Sequence, residues 1–289
     1  MLYRLGITVL CFSLTFVFLY LFWRLRFGNP PANAPSVLAY HKVTDFEFGG
    51  TWLSPSRFIS QIDYLLDNGF IFLSEKEYLD VVEGRREGSS RELLLTFDDG
   101  YSSLMESALP YLARSGVPAT IFLVTSFAGS VSSWELPLPG RRVKHLDWGE
   151  AKELVSMGFS LGSHSMTHRD LTALSDGELW QEVADSKNEI EDRVGVEVLS
   201  FSYPFGRSNG RVIDFVRSAG YRMAFSMYPA QKNSVFDRFN IRRNGVYVID
   251  TCSTVLAKVA GGHLFWIEDL KGRVINSFAI LTPVLRGGR

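Results

Sequence analysis

From Val37 to Ser226 the sequence repeatedly sets a short apolar run before an amphipathic segment, and that alternation is its strongest constraint on fold. Leu93–Phe97 (LLLTF) is apolar without a break and bounded by turn formers, the pattern of a strand buried on both faces of a sheet. Val37–Tyr40, Ala119–Val124, Ser160–Gly162, Leu199–Tyr203 and Arg222–Ser226 are further expected strands. Between them, Ser56–Asn68 sets Phe58, Ile59, Ile62, Leu65 and Leu66 on one helical face and ends at Gly69. Ser74, Ser103, Asp147 and Ser175 each precede a glutamate by three residues, the capping-box spacing of a helix start. The last three predict helices to about Ser115, Met157 and Val194, and Gly210–Ala219 predicts another. Residues 126–146, rich in Gly, Ser and Pro, read as a long loop. Strand–helix units in series predict an α/β protein with a parallel sheet, open or closed.

The ends of the chain follow other rules. Residues 5–23 (LGITVLCFSLTFVFLYLFW) carry no charged side chain. As a helix, about 19 residues span roughly 28 Å, close to the hydrocarbon thickness of a bilayer. Ala32-Asn33-Ala34 has the small-x-small form of a signal-peptide cleavage site, so a cleaved leader is the rival reading. The length of the run, with Arg24, Arg26 and Pro30-Pro31 before Ala34, favours an uncleaved single-pass anchor over 1–27. Residues 28–36 then form a linker and 37–289 one globular unit. Arg4 on one flank and Arg24 and Arg26 on the other give a mixed charge signal for orientation. The apolar tail Val274–Leu285 is too short to span. Cys11 and Cys252 each stand alone, so neither a disulfide framework nor a zinc cluster is expected of them. A net charge of -1 over 289 residues argues against a nucleic-acid partner, which requires a basic face.

Three clusters sit at the C-terminal ends of expected strands, where α/β folds place their sites. Asp98-Asp99 ends the LLLTF strand, and neighbouring side chains on extended backbone point apart, so one carboxylate can bind a metal while the other faces a substrate. Taken alone, the pair also reads as an ordinary Asp-Gly turn. His164 and His168 lie four apart, which on a helical turn puts both imidazoles on one face. With Asp99 they make two nitrogens and one carboxylate, a set that suits zinc or a neighbouring divalent metal with positions left open. Tyr203-Pro204-Phe205-Gly206 ends a strand in a bend that can turn an N–H into a site, or simply closes an apolar strand.

These stretches resemble the polysaccharide deacetylase family, the carbohydrate esterases with the NodB homology domain. TFDDG at 96–100 matches the family's first motif, HSMTH at 164–168 its H-S/T-x-x-H motif, and YPFG at 203–206 is similar to its third. The resemblance implies a distorted (β/α) barrel of about seven strands over 37–289, preceded by the transmembrane helix. It implies Asp98 as general base, Asp99, His164 and His168 as metal ligands, and the Phe205 N–H, within the motif that includes Tyr203, as an oxyanion donor. Two positions depart from the pattern. Ser202 stands where the family has an arginine that orients the base, and Arg243 is the candidate substitute. The family's late Leu-x-His motif is unmatched, because His263 lacks the apolar residue two before it. Val37–Val43 (VLAYHKV) is similar instead to a subgroup that includes poly-N-acetylglucosamine deacetylases, in which His41 takes the acid's place.

The activity so implied is metal-dependent hydrolysis of N-acetyl groups on N-acetylhexosamine units of a glycan, releasing acetate, with a divalent cation, zinc first among the candidates. The expected setting is the outer side of a membrane, with polysaccharide synthesis or export machinery as a possible partner. An O-acetyl glycan esterase of the same fold, or an inactive membrane-tethered glycan-binding subunit, are the competing readings. His145 is expected to be structural or solvated. Trp52, Trp134 and Trp148 are candidates to stack on sugar rings, or core residues.

Overall fold

The computed structural model describes residues 18–23, 35–47, 49–132, 143–228, 236–261 and 265–279. Its centre is an all-parallel sheet in the order β1-β10-β9-β8-β7-β6-β5-β4, closed by a further pairing of β1 with β5. The strands are β1 (Ser36–Tyr40), β4 (Ile71–Leu73), β5 (Glu92–Phe97), β6 (Thr120–Leu123), β7 (Ser160–Ser163), β8 (Ser200–Ser202), β9 (Met223–Met227) and β10 (Ile241–Gly245). Two-residue strands β2 (Lys42–Val43) and β3 (Trp52–Leu53) pair with each other outside it. Seven strands close the ring, and β5 shows how the eighth is accommodated. One edge of β5 runs along β1, from Ser36↔Leu93 to Tyr40↔Phe97. On the other, β4 takes the first half, Ile71↔Glu92 to Leu73↔Leu94, and β6 the second, Thr96↔Thr120 and Phe97↔Ile121. The split edge distorts the barrel, which otherwise is the expected fold.

Period-two alternation sorts the core into two layers. Leu38, Tyr40, Leu93, Leu95, Phe97, Ile121 and Leu161 pack in one cluster with helix residues such as Phe58, Ile62 and Leu65. Val37, Leu94, Phe122, Met223, Phe225 and Ile241 form the other, inside the ring. Gly162 makes room for the inner layer: a Cβ there would sit 2.4 Å from the Phe122 ring.

The helices begin where their caps predict. Ser74 and Asp147 close capping boxes on Glu75–Val82 and Trp148–Ser156. The helix expected over 103–115 is instead broken into a 3-10 turn, Ser102–Glu106, and α-helix Ala108–Arg114. Pro110 explains the break: deep in a continuous helix it would lack an N–H and clash with the carbonyl four residues back, whereas restarting at Ala108 puts it in a first turn. The helix to Val194 is continuous but swells into a π turn at Gln181–Asp185. Strands β4 and β10 and helices Cys252–Ala260 and Phe265–Ala279 were not expected from the pattern.

No helix among the described residues is long and apolar enough to cross a membrane. Residues 1–17, which include most of the apolar run, and 24–34 of its flank and linker lie outside the described residues, so most of the transmembrane expectation falls there. The end of the run, 18–23, is helical. Trp23 is buried against Phe265 and donates its indole N–H to Asp269.

Candidate active site

β5 delivers the two carboxylates. The Asp98 N–H still bonds to Tyr40 O at 2.9 Å, extending the β1–β5 ladder by one rung. Asp99 then turns left-handed at φ 68°, and the two side chains part.

Asp98 is buried and gripped by an arginine from β10. Arg243 donates Nη1 to Oδ1 and Nη2 to Oδ2, both at 2.7 Å, and Nη2 also reaches Ser202 Oγ at 2.8 Å. Arg243 is 0% exposed, so the charges are paired where water cannot screen them. Burial alone would raise the Asp98 pKa, but the Arg243 guanidinium, with His164 nearby, holds the carboxyl well below the usual carboxylate range. The guanidinium thus reaches Asp98 beside Ser202, the position where the resemblance implies an arginine. Ser202 remains in the cluster, its hydroxyl 3.3 Å from Asp98 Oδ1.

The second carboxylate faces the histidines. Asp99 Oδ1 lies 3.6 Å from His164 Nε2 and 3.5 Å from His168 Nε2. It accepts no hydrogen bond among the described residues, although it is buried. The three ligand atoms lie within 4.8 Å of one another. Two donors about 2.1 Å from one tetrahedral ion are about 3.4 Å apart, so the spacing fits a shared cation and an otherwise orphaned oxygen. His164 Nδ1 meets Ser202 O at 2.7 Å; a carbonyl only accepts, so Nδ1 carries the proton and Nε2 presents its lone pair. Burial pushes the His164 pKa down to about 4 against the upward pull of Asp98, which keeps the ring neutral. The expected helical turn is absent, since residues 164–168 are irregular with Ser165 at φ 68° and His168 at φ 59°.

The third motif bends as expected. Phe205 is left-handed at φ 58°, its ring 4.7 Å from that of His168. Gly206 cannot be replaced without displacement, because a Cβ would stand 2.3 Å from Met227 N. Asn276, on the last helix, bonds Phe205 O at 3.4 Å. Tyr203 does not line the site. Alternation turns Ser202 inward and Tyr203 outward, where its buried ring packs on Phe201 and its hydroxyl donates to Phe239 O at 2.8 Å.

His41 follows β1 directly, and the Tyr40–Asp98 bond puts it beside Asp98. Its Nδ1 is buried with no hydrogen-bond partner among the described residues. His145 is structural: Nδ1 bonds Asp99 O at 2.7 Å, and its ring stacks on Tyr101. His263 and Trp134 lie outside the described residues. Trp148 carries Arg193 on its face, and Trp52 meets Phe46 edge to face at 5.3 Å. Sequence reasoning missed the Thr96 hydroxyl, 3.3 Å from Arg243, and the buried Glu182 behind the histidine loop.

Residues 85–224 match the family "Polysaccharide deacetylase". YxkH of Bacillus subtilis (strain 168), named for the same family, is 30% identical over 83% of this chain and 78% of its own. The "Poly-beta-1,6-N-acetyl-D-glucosamine N-deacetylase" of Staphylococcus aureus (strain MRSA252) is 23% identical over 68% of this chain and 72% of its own. Among solved structures, IcaB from Ammonifex degensii superposes with a TM-score of 0.66 at 25% identity, over 79% of this chain and 97% of that one. Streptococcus pyogenes deacetylase PplD, solved with acetate, gives 0.66 at 20%, over 78% and 98%. The chain belongs to the polysaccharide deacetylase family, the carbohydrate N-deacetylases.

Proposed function

We propose that this protein is a metal-dependent hydrolase that removes N-acetyl groups from N-acetylhexosamine units of a polysaccharide and releases acetate. One observation carries the reading: a carboxylate held in an arginine fork stands 4.0 Å, at Asp98 Oδ2, from His164 Nε2 of the Asp99-His164-His168 set. A base and a cation site are thus side by side but built from different residues. Asp99, His164 and His168 would hold a divalent cation, zinc by the donor set, which when bound would supply Lewis acidity toward the acetyl carbonyl and a water.

The chain's own groups do the rest. Arg243 keeps Asp98 ionised and aimed, so that one oxygen can take the proton of the attacking water. The backbone N–H of Phe205 donates to the carbonyl oxygen as negative charge collects there. His41 protonates the leaving amine. The YHKV stretch and the staphylococcal relative support poly-N-acetylglucosamine as the substrate class. The apolar run 5–23 would hold the barrel to a membrane by one pass, on the extracytoplasmic side where such polymers and their export machinery lie.

Zinc-loaded full chain should release acetate from β-1,6-linked N-acetylglucosamine oligomers and not from O-acetylated xylan. Release from xylan alone would make it an O-acetyl esterase.

A further inference from the structure

The backbone between the two histidine ligands pays for its shape. Ser165 and His168 are both non-glycine residues at positive φ, a conformation that persists only when the surroundings hold it. Two serines hold part of the loop: Ser163 Oγ accepts from Ser165 N at 3.2 Å, and Ser165 Oγ from His168 N at 3.1 Å. The middle is held from outside. Met166 N and Thr167 N both donate to Glu182 Oε2, at 3.0 and 2.9 Å, and the Thr167 hydroxyl donates to Glu182 Oε1.

Glu182 is 4% exposed, and its carboxylate is bonded by Met166 N, Thr167 N and the Thr167 hydroxyl. Its charge is met by the loop itself. It sits in the π turn Gln181–Asp185 of a helix that is otherwise α, a local widening that recurs at functional sites. Ser186, one residue beyond, donates its hydroxyl to Glu182 O at 2.8 Å and lies 2.7 Å from Ser163 Oγ. The π turn and the loop are thus joined by both a side chain and a backbone carbonyl.

We infer that Glu182 is a positioning residue for the cation site: by accepting two amides and a hydroxyl between His164 and His168, it sets the loop so that both Nε2 atoms converge on Asp99. The inference rests on the metal reading above. It makes a specific demand, because both amides go to one oxygen. In Glu182→Gln the amide oxygen can keep both bonds while the NH2 faces Thr167 Oγ1, so a neutral acceptor suffices. In Glu182→Ala the two serine bonds remain but the middle of the loop, at Met166 and Thr167, loses its acceptor.

The test is zinc affinity by competition titration and the visible spectrum of the cobalt form, on full-length protein. Glu182→Ala should bind zinc about 10–100-fold more weakly and change the cobalt bands, while Glu182→Gln stays within about threefold of wild type. Unchanged affinity in Glu182→Ala overturns the inference, and so does a folded Glu182→Gln as weak as Glu182→Ala. A wild type that binds neither metal overturns the metal reading instead. Should Glu182→Ala not fold, hydrogen exchange at Met166 and Thr167 in metal-free wild type decides: protected amides support the clamp, and exchange at the unstructured rate overturns it.

Discussion

The two halves of the site are built differently. The cation half, Asp99, His164 and His168, comes from two short segments at the ends of β5 and β7. The base half joins Asp98 to Arg243, 145 residues later, and to Ser202 on a third strand. A metal constrains its ligands to one tight cluster, so they recur at fixed local spacing. A buried carboxylate needs only a cation at the right height inside the barrel, and inward-facing positions on several strands reach that point. Here the guanidinium comes from β10 and reaches both Asp98 and the Ser202 hydroxyl, the position at which the family resemblance implies an arginine.

The division of labour can be broken first at the leaving group. His41→Ala should lower N-deacetylation by about 10²–10⁴, the usual worth of a general acid. It should spare an activated acetate ester, whose leaving group needs no proton. Loss in His263→Ala and not in His41→Ala would assign the acid to the other histidine.

The base half comes next. Arg243→Ser leaves Asp98 buried without its cation and should cost about 3–5 kcal/mol of stability, read by denaturant unfolding, together with most of the turnover. Adding Ser202→Arg in the same chain supplies a guanidinium from the β8 position. Recovery of much of both losses would show that the two positions are interchangeable; no recovery would tie the function to β10.

A third prediction uses a buried carboxylate that has no arginine fork. Glu75 is 4% exposed and accepts a hydrogen bond from Ser200. Burial raises its pKa to about 7, with the Ser200 bond only partly offsetting it. Raised above its ordinary 4.5, it holds its proton in the folded state where the unfolded chain has lost it. Its contribution to stability is therefore present below pH about 4.5 and lost as pH rises through about 7. Glu75→Gln should remove that slope and raise the unfolding free energy at pH 8 relative to wild type, by up to ~3 kcal/mol, leaving activity unchanged. A slope that persists in the variant would mean another group carries it.

How much of this could be read in advance follows the same divide. Asp98, Asp99, His164 and His168 were legible because they stand in two short motifs, TFDDG and HSMTH, that follow expected strands. The loop that joins the histidines was not: their spacing suggested a helical turn, and the left-handed Ser165 and His168 depend on Glu182, 14 residues past His168. β10 was hidden by its composition. In Ile241–Gly245 the adjacent Arg242 and Arg243 look like a solvated turn, yet Arg242 meets Asp269 on the last helix and Arg243 meets Asp98 inside the barrel. Hydrophobic periodicity cannot report a strand whose buried side chains are charged and paired. Tyr203 was misplaced because a motif marks a stretch of chain, whereas alternation decides which side chain faces in.

In the proposed mechanism Asp98 acts on the proton while Asp99, His164 and His168 hold the cation. Bound zinc and acetate release, measured together on Asp98→Asn and His164→Ala, test it directly. Asp98→Asn should keep stoichiometric zinc and lose acetate release by about 10²–10⁴, whereas His164→Ala should lose both. An Asp98→Asn variant that still releases acetate at the wild-type rate, or a His164→Ala variant that keeps zinc and activity, would contradict it.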